Sequence, residues 1–345
     1  GAVSQAVDSG DIRQGATLVL SNGNLLVYWE EWNTNADGRA DIYAAIYDAT
    51  GTLVQSIDAT PINNVITQDQ RWPDAIATDD GGFVIVWHNQ EAQILAQRFD
   101  SAGTEVEIDG STISDGDGEF AVSSTSGAVS PGVVVLDNGN WVFTWLSGGN
   151  VYVRIYDPTT GSDVASGNFY GGAVDLTIVD IEERRDGSGG FVLGWTSYLD
   201  GKLQIVSVEA NGQPTDPIGT PVDIEIDAAN WPQDINITSL ADGDLVVSWT
   251  QSNQDGSGTA AMAALVSMPD GTPDTPFILS TTVSNDQARP AIVALADGGF
   301  VAGWSDHSTG SYRWIAQLFD SSGAKIGSEF VITAASGAPG FNMGN

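Results

Sequence analysis

Short apolar runs separated by turn sequences recur along the whole chain. Residues 25–29, 83–87 and 245–249 are apolar or aromatic at nearly every position, and an Asn-Gly or Asp-Gly pair lies shortly before each run. No stretch keeps apolar residues at the i, i+3, i+4, i+7 spacing of an amphipathic helix. The pattern therefore predicts short β-strands joined by tight turns.

One phrase occurs six times, and in each copy a glycine-containing turn leads into an apolar run that ends in tryptophan. The copies read SNGNLLVYW, DDGGFVIVW, DNGNWVFTW, GSGGFVLGW, ADGDLVVSW and ADGGFVAGW, and they end at Trp29, Trp87, Trp145, Trp195, Trp249 and Trp304. The spacings between these tryptophans are 58, 58, 50, 54 and 55 residues. A repeat of this length holds four short strands, which is the size of one blade of a β-propeller.

The repeat predicts an all-β protein, a six-bladed β-propeller of four-stranded antiparallel blades, with residues 1–345 as a single domain. The predicted units are residues 16–70, 71–127, 128–175, 176–230, 231–287 and 288–345. Residues 2–7 and 330–333 both have the pattern of an outer strand, which leaves one such strand in surplus. Either segment can close the ring, and the other then becomes an added edge strand.

The recurring tryptophan is predicted to be a core residue. The strand that ends in Trp87 is apolar on both faces, as a sheet packed between two other sheets requires. Burial between neighbouring sheets explains a tryptophan at one fixed position in all six units, whereas a ligand role does not.

The charge of the chain excludes several classes of partner. Lys and Arg number 11 and Asp and Glu number 45, which gives a formal net charge of −34. No basic stripe is therefore available for nucleic acid or for an anionic membrane surface. No apolar run approaches the roughly 18 residues that would predict membrane insertion. The chain has no cysteine, no phosphate-binding loop and no HExxH motif, so no organic cofactor and no catalytic residue is predicted.

Three phrases carry a resemblance to a known repeat type. ALADGGFVAGW at 294–304, IAQLFDSSGAKIGSEFVIT at 315–333 and IVWHNQEAQILAQRFDSAG at 85–103 are similar to repeats of large secreted bacterial proteins of the RTX, or hemolysin-type calcium-binding, group, which includes giant adhesins. The resemblance covers nearly the whole chain. It implies an extracellular or cell-surface location and a monomeric module of a larger chain. The glycine-rich nonapeptide calcium tract of that group is not present in this sequence.

One loop has the spacing of a calcium site. Oxygen-bearing side chains at alternate positions and a backbone carbonyl follow the first part of an EF-hand loop, with Gly38 at the sharp turn. The predicted ligands are Asn33, Asn35, Asp37, the carbonyl of Arg39, and Asp41. The loop resembles the calcium loop of integrin-type and VCBS-type propeller repeats, although its first position is Asn. A polar surface hairpin is the alternative interpretation.

In a propeller, two sets of loops lie on the same face. One set joins the second strand of each blade to the third, and the other set leads into the first strand of each blade. Aromatic plates beside planar polar groups suit sugar rings, since CH faces stack on the indole while hydroxyls find hydrogen-bond partners. The predicted ligand-binding residues on this top face are Trp32, Asp69, Arg71, Trp72, His88, Trp231, Arg289 and His307. The alternative for each tryptophan is a cap on the core. Trp72 and Trp231 are expected at equivalent positions, with Arg289 as their counterpart, and all three are expected in extended backbone because each precedes proline.

These features favour a calcium-stabilised extracellular module that binds a glycan or another cell-surface ligand. Two alternatives stay open, which are a glycoside hydrolase or polysaccharide lyase on a propeller scaffold and a spacer domain of an adhesin without a ligand. The regular units and the lack of any blade with an evident cluster of acid, base and arginine favour binding over catalysis. Fold alone does not choose among them.

Overall fold

The chain is described here from a computed structural model. The structure describes residues 11–32, 39–56, 61–106, 108, 119–123, 127–170, 176–197, 202–209, 218–224, 230, 232–268 and 271–333. Every regular element in these ranges is a β-strand, and the ranges contain no helix. The prediction of an all-β protein is therefore confirmed.

The chain divides into two compact units, of which the first comprises Gly1–Gly167 with Gly340–Asn345 and the second comprises Asn168–Pro339. The first unit contains three antiparallel sheets in which strand order follows chain order. The strands of the first sheet are β1 Asp11–Val19, β2 Leu25–Trp32, β3 Ala40–Tyr47 and β4 Leu53–Ser56. Those of the second are β5 Gln70–Ala77, β6 Phe83–Asn89, β7 Ile94–Phe99, and the short β8 Glu105–Val106 and β9 Phe120–Ala121, which both pair with β7. Those of the third are β10 Ala128–Val135, β11 Trp141–Ser147, β12 Asn150–Asp157 and β13 Ser162–Tyr170.

The second unit repeats this arrangement in three further sheets. The strands of the fourth sheet are β14 Leu176–Glu183, β15 Phe191–Ser197, β16 Lys202–Val208 and β17 Ile218–Ile224. Those of the fifth are β18 Gln233–Ser239, β19 Leu245–Ser252, β20 Thr259–Ser267, and the short β21 Thr272–Pro273 and β22 Phe277–Ile278, which both pair with β20. Those of the sixth are β23 Gln287–Ala294, β24 Phe300–Asp306, β25 Arg313–Phe319 and β26 Lys325–Thr333.

The six sheets are the blades of a six-bladed β-propeller, as the repeat predicts. Within each unit the first strands of consecutive blades contact one another, β1 with β5 and β5 with β10, then β14 with β18 and β18 with β23. Residues 330–333 form the end of β26, the outer strand of the sixth sheet, whereas residues 2–7 lie outside the described residues.

The six repeated tryptophans are core residues, as predicted. Trp87, Trp195, Trp249 and Trp304 are fully buried, and Trp29 and Trp145 nearly so. Trp87 packs with Tyr28 of the preceding blade in one apolar cluster. Its indole Nε1 donates to Gln70 Oε1 at 3.0 Å, so burial of the ring leaves its polar atom satisfied.

A second glycine in the turn phrase is required by the close approach of the third strand. In DDGGFVIVW that residue is Gly82, where a Cβ would lie 2.2 Å from the carbonyl oxygen of Phe99. In GSGGFVLGW it is Gly190, where a Cβ would lie 2.1 Å from the carbonyl oxygen of Val208. Only glycine fits there without moving the backbone.

Each first strand carries a β-bulge near its start, where the register against the second strand shifts. The bulged residues include Trp72 at φ 54° and Arg289 at φ 55°, in the left-handed region. The expectation of extended backbone before proline is therefore wrong for both residues, because the bulge overrides the local preference. The register also places Asp234, at φ 52°, in the position of Trp72, so the expected equivalence of Trp72 and Trp231 is wrong.

Side-chain oxygens on the first strands link consecutive blades within each unit. Asp74 Oδ2 accepts the N–H of Val133 at 2.8 Å, from β5 to β10. Asp180 Oδ2 accepts the N–H of Ile237 at 2.5 Å, from β14 to β18. Asn236 Oδ1 accepts the N–H of Ile292 at 3.2 Å, from β18 to β23. These hydrogen bonds run from a side chain of one blade to the main chain of the next and fix the spacing between first strands.

Candidate functional site

Five of the predicted top-face residues come together in the first unit. Trp32 ends β2, Asp69 directly precedes β5, Arg71 and Trp72 lie in β5, and His88 lies in β6. Arg71 and His88 are direct cross-strand partners, which brings both side chains to the start of the second blade. We call these five residues together with Glu30 the Trp72 cluster.

The guanidinium of Arg71 is fixed by two neighbours. Its Cζ lies 4.4 Å from the centroid of the Trp32 ring, within the range of a cation–π contact. Its Nη2 donates to Asp69 Oδ2 at 2.5 Å. The Nε of Arg71 is buried and has no hydrogen-bond partner among the described residues. Because 33% of the Arg71 side chain is exposed, its Nη groups, and not the buried Nε, are the donors open to a hydroxyl or carbonyl oxygen of a ligand.

Trp72 presents an exposed aromatic face. Its ring stacks on His88 with a centroid distance of 5.2 Å and an interplanar angle of 21°, and 39% of the residue remains exposed. The left-handed backbone at the bulge displays this side chain instead of burying it between blades. Trp72 is therefore not enclosed between blades, and its outer surface meets solvent.

Glu30 joins the two tryptophans of the cluster. This carboxylate is buried, with 3% of the residue exposed. It accepts a hydrogen bond from Trp32 Nε1 on one oxygen and from the backbone N–H of Trp72 on the other, the latter at 3.1 Å. One side chain of the first blade thus orients an aromatic residue of its own blade and the bulge of the next blade.

The electrostatics of the cluster keep His88 neutral. Burial lowers the pKa of His88, and the neighbouring Arg71 cation lowers it further, while Asp69 acts in the opposite direction. Its Nδ1 is buried without a hydrogen-bond partner in the described part of the chain. The cluster contains one guanidinium, on Arg71, and two carboxyl groups, on Glu30 and Asp69, of which Asp69 is paired with Arg71.

The remaining predicted ligand residues are not part of this cluster. Arg289 lies at the bulge of β23, where its backbone N–H donates to Thr250 Oγ1 at 2.7 Å. His307 follows β24 and stacks on Tyr312, a residue that the sequence did not indicate. Trp231 lies outside the described residues.

The predicted calcium loop is described only at its end, because residues 33–38 lie outside the described ranges. Asp41 is fully buried in β3, and its Oδ1 accepts a hydrogen bond from Asn63 Nδ2 at 2.8 Å. Arg39 Nη1 donates to Gln90 Oε1. The residues present in the loop still offer the oxygen donors that Ca²⁺ prefers. Among the described residues no group of three or more His, Asp or Glu could hold a metal ion.

No protein-family model matches the sequence, and no curated protein matches it either. Solved structures do match. An ulvan lyase of a polysaccharide lyase family, bound to -[GlcA(1-4)Rha3S]-, is similar at a TM-score of 0.60 and 9% identity, over 94% of this chain and 85% of that chain. The NanB sialidase from Streptococcus pneumoniae is similar at 0.53 and 11% identity, over 90% of this chain and 68% of that chain. A mutant of AofleA from Arthrobotrys oligospora is similar at 0.51 and 11% identity, over 95% of this chain and 91% of that chain.

These likenesses show the fold. At such low identity they place no functional residue in this chain. The search for membrane spans among the described residues found no helix with the length and hydropathy to cross a bilayer.

Proposed function

We propose that the protein is an exported saccharide-binding module and that the Trp72 cluster is its binding site. The observation that carries the proposal is the partly exposed Trp72 ring stacked on His88, whose charged neighbours are Arg71 and Asp69. A rigid aromatic plate with planar polar groups at its edge matches a pyranose ring, which has an apolar CH face and a rim of hydroxyls.

The charge of the cluster favours a neutral saccharide over an anionic one. The only guanidinium in it is already paired with Asp69, and the buried Glu30 adds a further negative charge. A uronate or sulfate group would have to approach two carboxylates and a chain of net charge −34. The names of the polysaccharide lyase and the sialidase support carbohydrate chemistry on this fold.

The proposal includes an extracellular location and one bound calcium ion. The resemblance to secreted RTX-type repeats supports an extracellular or cell-surface module. One Ca²⁺ in the loop 33–41, held by Asn33, Asn35, Asp37, the carbonyl of Arg39 and Asp41, would hold that loop directly after Trp32. The spacing of the oxygen donors supports this site.

Binding of neutral oligosaccharides on a glycan array, followed by titration calorimetry with the best ligand, tests the proposal. We expect Trp72→Ala to weaken binding by about thirtyfold, as loss of an aromatic anchor does at an interface. Phe330→Ala, at a residue of β26 that is also exposed, is the matched control. Full binding by folded Trp72→Ala would refute this site, and no saccharide binding by the wild-type protein would favour the spacer alternative.

A second candidate function, a glycan-active enzyme at the same cluster, is favoured by His88. Burial and Arg71 lower the pKa of this imidazole and so favour its neutral form, which is the form that a general base requires. Incubation with neutral and uronate-containing polysaccharides, with detection of new reducing ends and of unsaturated products, tests this function. Turnover that His88→Gln abolishes would establish it, and binding without turnover would leave the protein a binding module.

A further inference from the structure

His307, the second histidine of the chain, stacks on the exposed ring of Tyr312 in the second unit. We call these two rings the platform. The rings of His307 and Tyr312 stack with a centroid distance of 4.4 Å and an interplanar angle of 13°. Tyr312 is 52% exposed, whereas His307 is half-buried. One face of the phenol ring is therefore covered by the imidazole, and much of the remaining ring surface meets solvent.

The loop that carries this platform is fixed by hydrogen bonds. The backbone N–H of His307 donates to the carbonyl of Asp286 at 2.8 Å, and the N–H of Gly310 donates to the carbonyl of His307 at 3.0 Å. Gly310 has φ 81°, so a glycine is suited to this turn between β24 and β25. The platform is held in place before any ligand arrives, which lowers the entropy cost of binding.

A charged pair lies directly beside the platform. Arg313 Nε donates to Asp306 Oδ2 at 2.6 Å, and its Nη2 donates to Ser308 Oγ at 3.1 Å. Asp306 is 1% exposed, so the pair is anchored in the blade. Among the described residues Nη1 of Arg313 and the hydroxyl of Tyr312 have no hydrogen-bond partner, and both are therefore available to hydroxyl groups of a ligand.

The chemistry of the Trp72 cluster thus occurs a second time. In the first unit His88 supports Trp72 next to the Arg71–Asp69 pair, and in the second unit His307 supports Tyr312 next to an Arg–Asp pair. We propose that the second unit holds its own site for a neutral saccharide, with one sugar ring on Tyr312 and its hydroxyls on Arg313. The class of ligand rests on the proposed function, but the site is separate and has its own residues.

The histidines make this inference testable, because the chain has two of them and each belongs to one site. Protein labelled with ¹³C at the imidazole Cε1 gives two signals, which His88→Gln and His307→Gln assign. The labelled protein is titrated with the neutral methyl glycosides of glucose, galactose, mannose, fucose and rhamnose at fixed pH. We expect at least one glycoside to shift both signals with saturation, and calorimetry to give two ligands per chain.

Variants separate the two sites. We expect Tyr312→Ala to weaken the response of His307 by about tenfold or more and to leave that of His88 unchanged, while Tyr312→Phe retains stacking and loses only the hydroxyl. Trp72→Ala should weaken the response of His88 and leave that of His307 unchanged.

If the two histidine signals do not both respond, the result refutes one or both of the proposed sites. A response of His88 alone, with one ligand per chain, overturns the second site and leaves the proposed function standing. A response of His307 alone supports the second site and removes the Trp72 cluster as a binding site. If neither signal responds to any glycoside, both are refuted as sites for neutral saccharides.

Discussion

Asp74 shows how one residue sets a dependence of stability on pH. Burial of its carboxylate raises the pKa to about 6, although the N–H groups of Val133 and Ala75 and the hydroxyl of Tyr28 act to lower it. The unfolded chain has the ordinary value of 3.8 at this residue. The folded state therefore binds the proton more tightly than the unfolded state, and the stabilisation from protonation is present below pH 4 and is lost as the pH rises through 6.

Comparison with Asp74→Asn isolates this effect, because asparagine does not titrate. Between pH 4 and pH 7 we expect the free energy of unfolding of the wild type to fall by about 2 kcal/mol relative to that of the variant. Urea unfolding at both pH values measures the free energy of unfolding of the two proteins. The contributions of the other acidic groups largely cancel when the variant is subtracted from the wild type. A constant difference across this range would show that Asp74 titrates normally in the folded protein.

Glu30 is a positioning residue, and its substitution should affect binding through two tryptophans. In Glu30→Gln a single carbonyl oxygen replaces two carboxylate acceptors, so either the Trp32 indole or the Trp72 backbone N–H loses its partner. We expect a loss of stability of about 1–3 kcal/mol and weaker saccharide binding, with the fold retained. Thermal melts and calorimetry with the array-selected ligand measure these effects. Unchanged binding together with reduced stability would mean that Glu30 has only a structural role.

At the scale of the element, the turn between β5 and β6 accepts only glycine at residue 82. Gly82→Ala would place a methyl group against the carbonyl of Phe99, and we expect it to destabilise the protein by about 3 kcal/mol through overpacking. Gly167→Ala is the matched control, since a Cβ there has no neighbour within 4 Å. Equal melting temperatures for the two variants would disprove the requirement for glycine at residue 82.

The net charge of −34 acts at the scale of the whole molecule. Repulsion among exposed carboxylates opposes the compact state, and salt reduces it, since the screening length is about 8 Å at physiological ionic strength. We expect the melting temperature to rise between low and moderate NaCl. A melting temperature that is independent of salt would argue against this repulsion.

Calcium should add a further rise beyond that of NaCl at the same ionic strength, if the loop 33–41 binds it. At a hundredfold excess over Kd the stabilisation is about 2.7 kcal/mol. Asp37→Ala should remove only this calcium-specific part and leave the response to NaCl unchanged. An identical calcium response in wild type and Asp37→Ala would exclude a site at this loop.

The sequence predicted the blades because each of them repeats a local pattern that folding preserves. Trp87 and its counterparts are recognisable since burial between sheets constrains the same position in every unit. The candidate site was predictable in part, as Trp32, Arg71 and His88 were placed on one face. The left-handed backbone of Trp72 was not, because it follows from pairing with a second strand and contradicts the preference before proline. Tyr312 was missed since its partner His307 lies across a loop whose conformation the repeat does not specify.

The side chains on the first strands that accept hydrogen bonds from the next blade have a consequence for the evolution of repeat proteins. Asp74, Asp180 and Asn236 each accept a hydrogen bond from the main chain of the following blade. Every residue except proline supplies that N–H, so this hydrogen bond places no demand on the side chain at that position of the next blade. Duplication or exchange of a blade therefore preserves this contact without a compensating mutation in the neighbour, whereas side-chain packing such as that of Trp87 on Tyr28 has to match. Proline at residue 133 would remove the hydrogen bond from Asp74, and Val133→Pro should be far more harmful than Val133→Ile in a thermal melt.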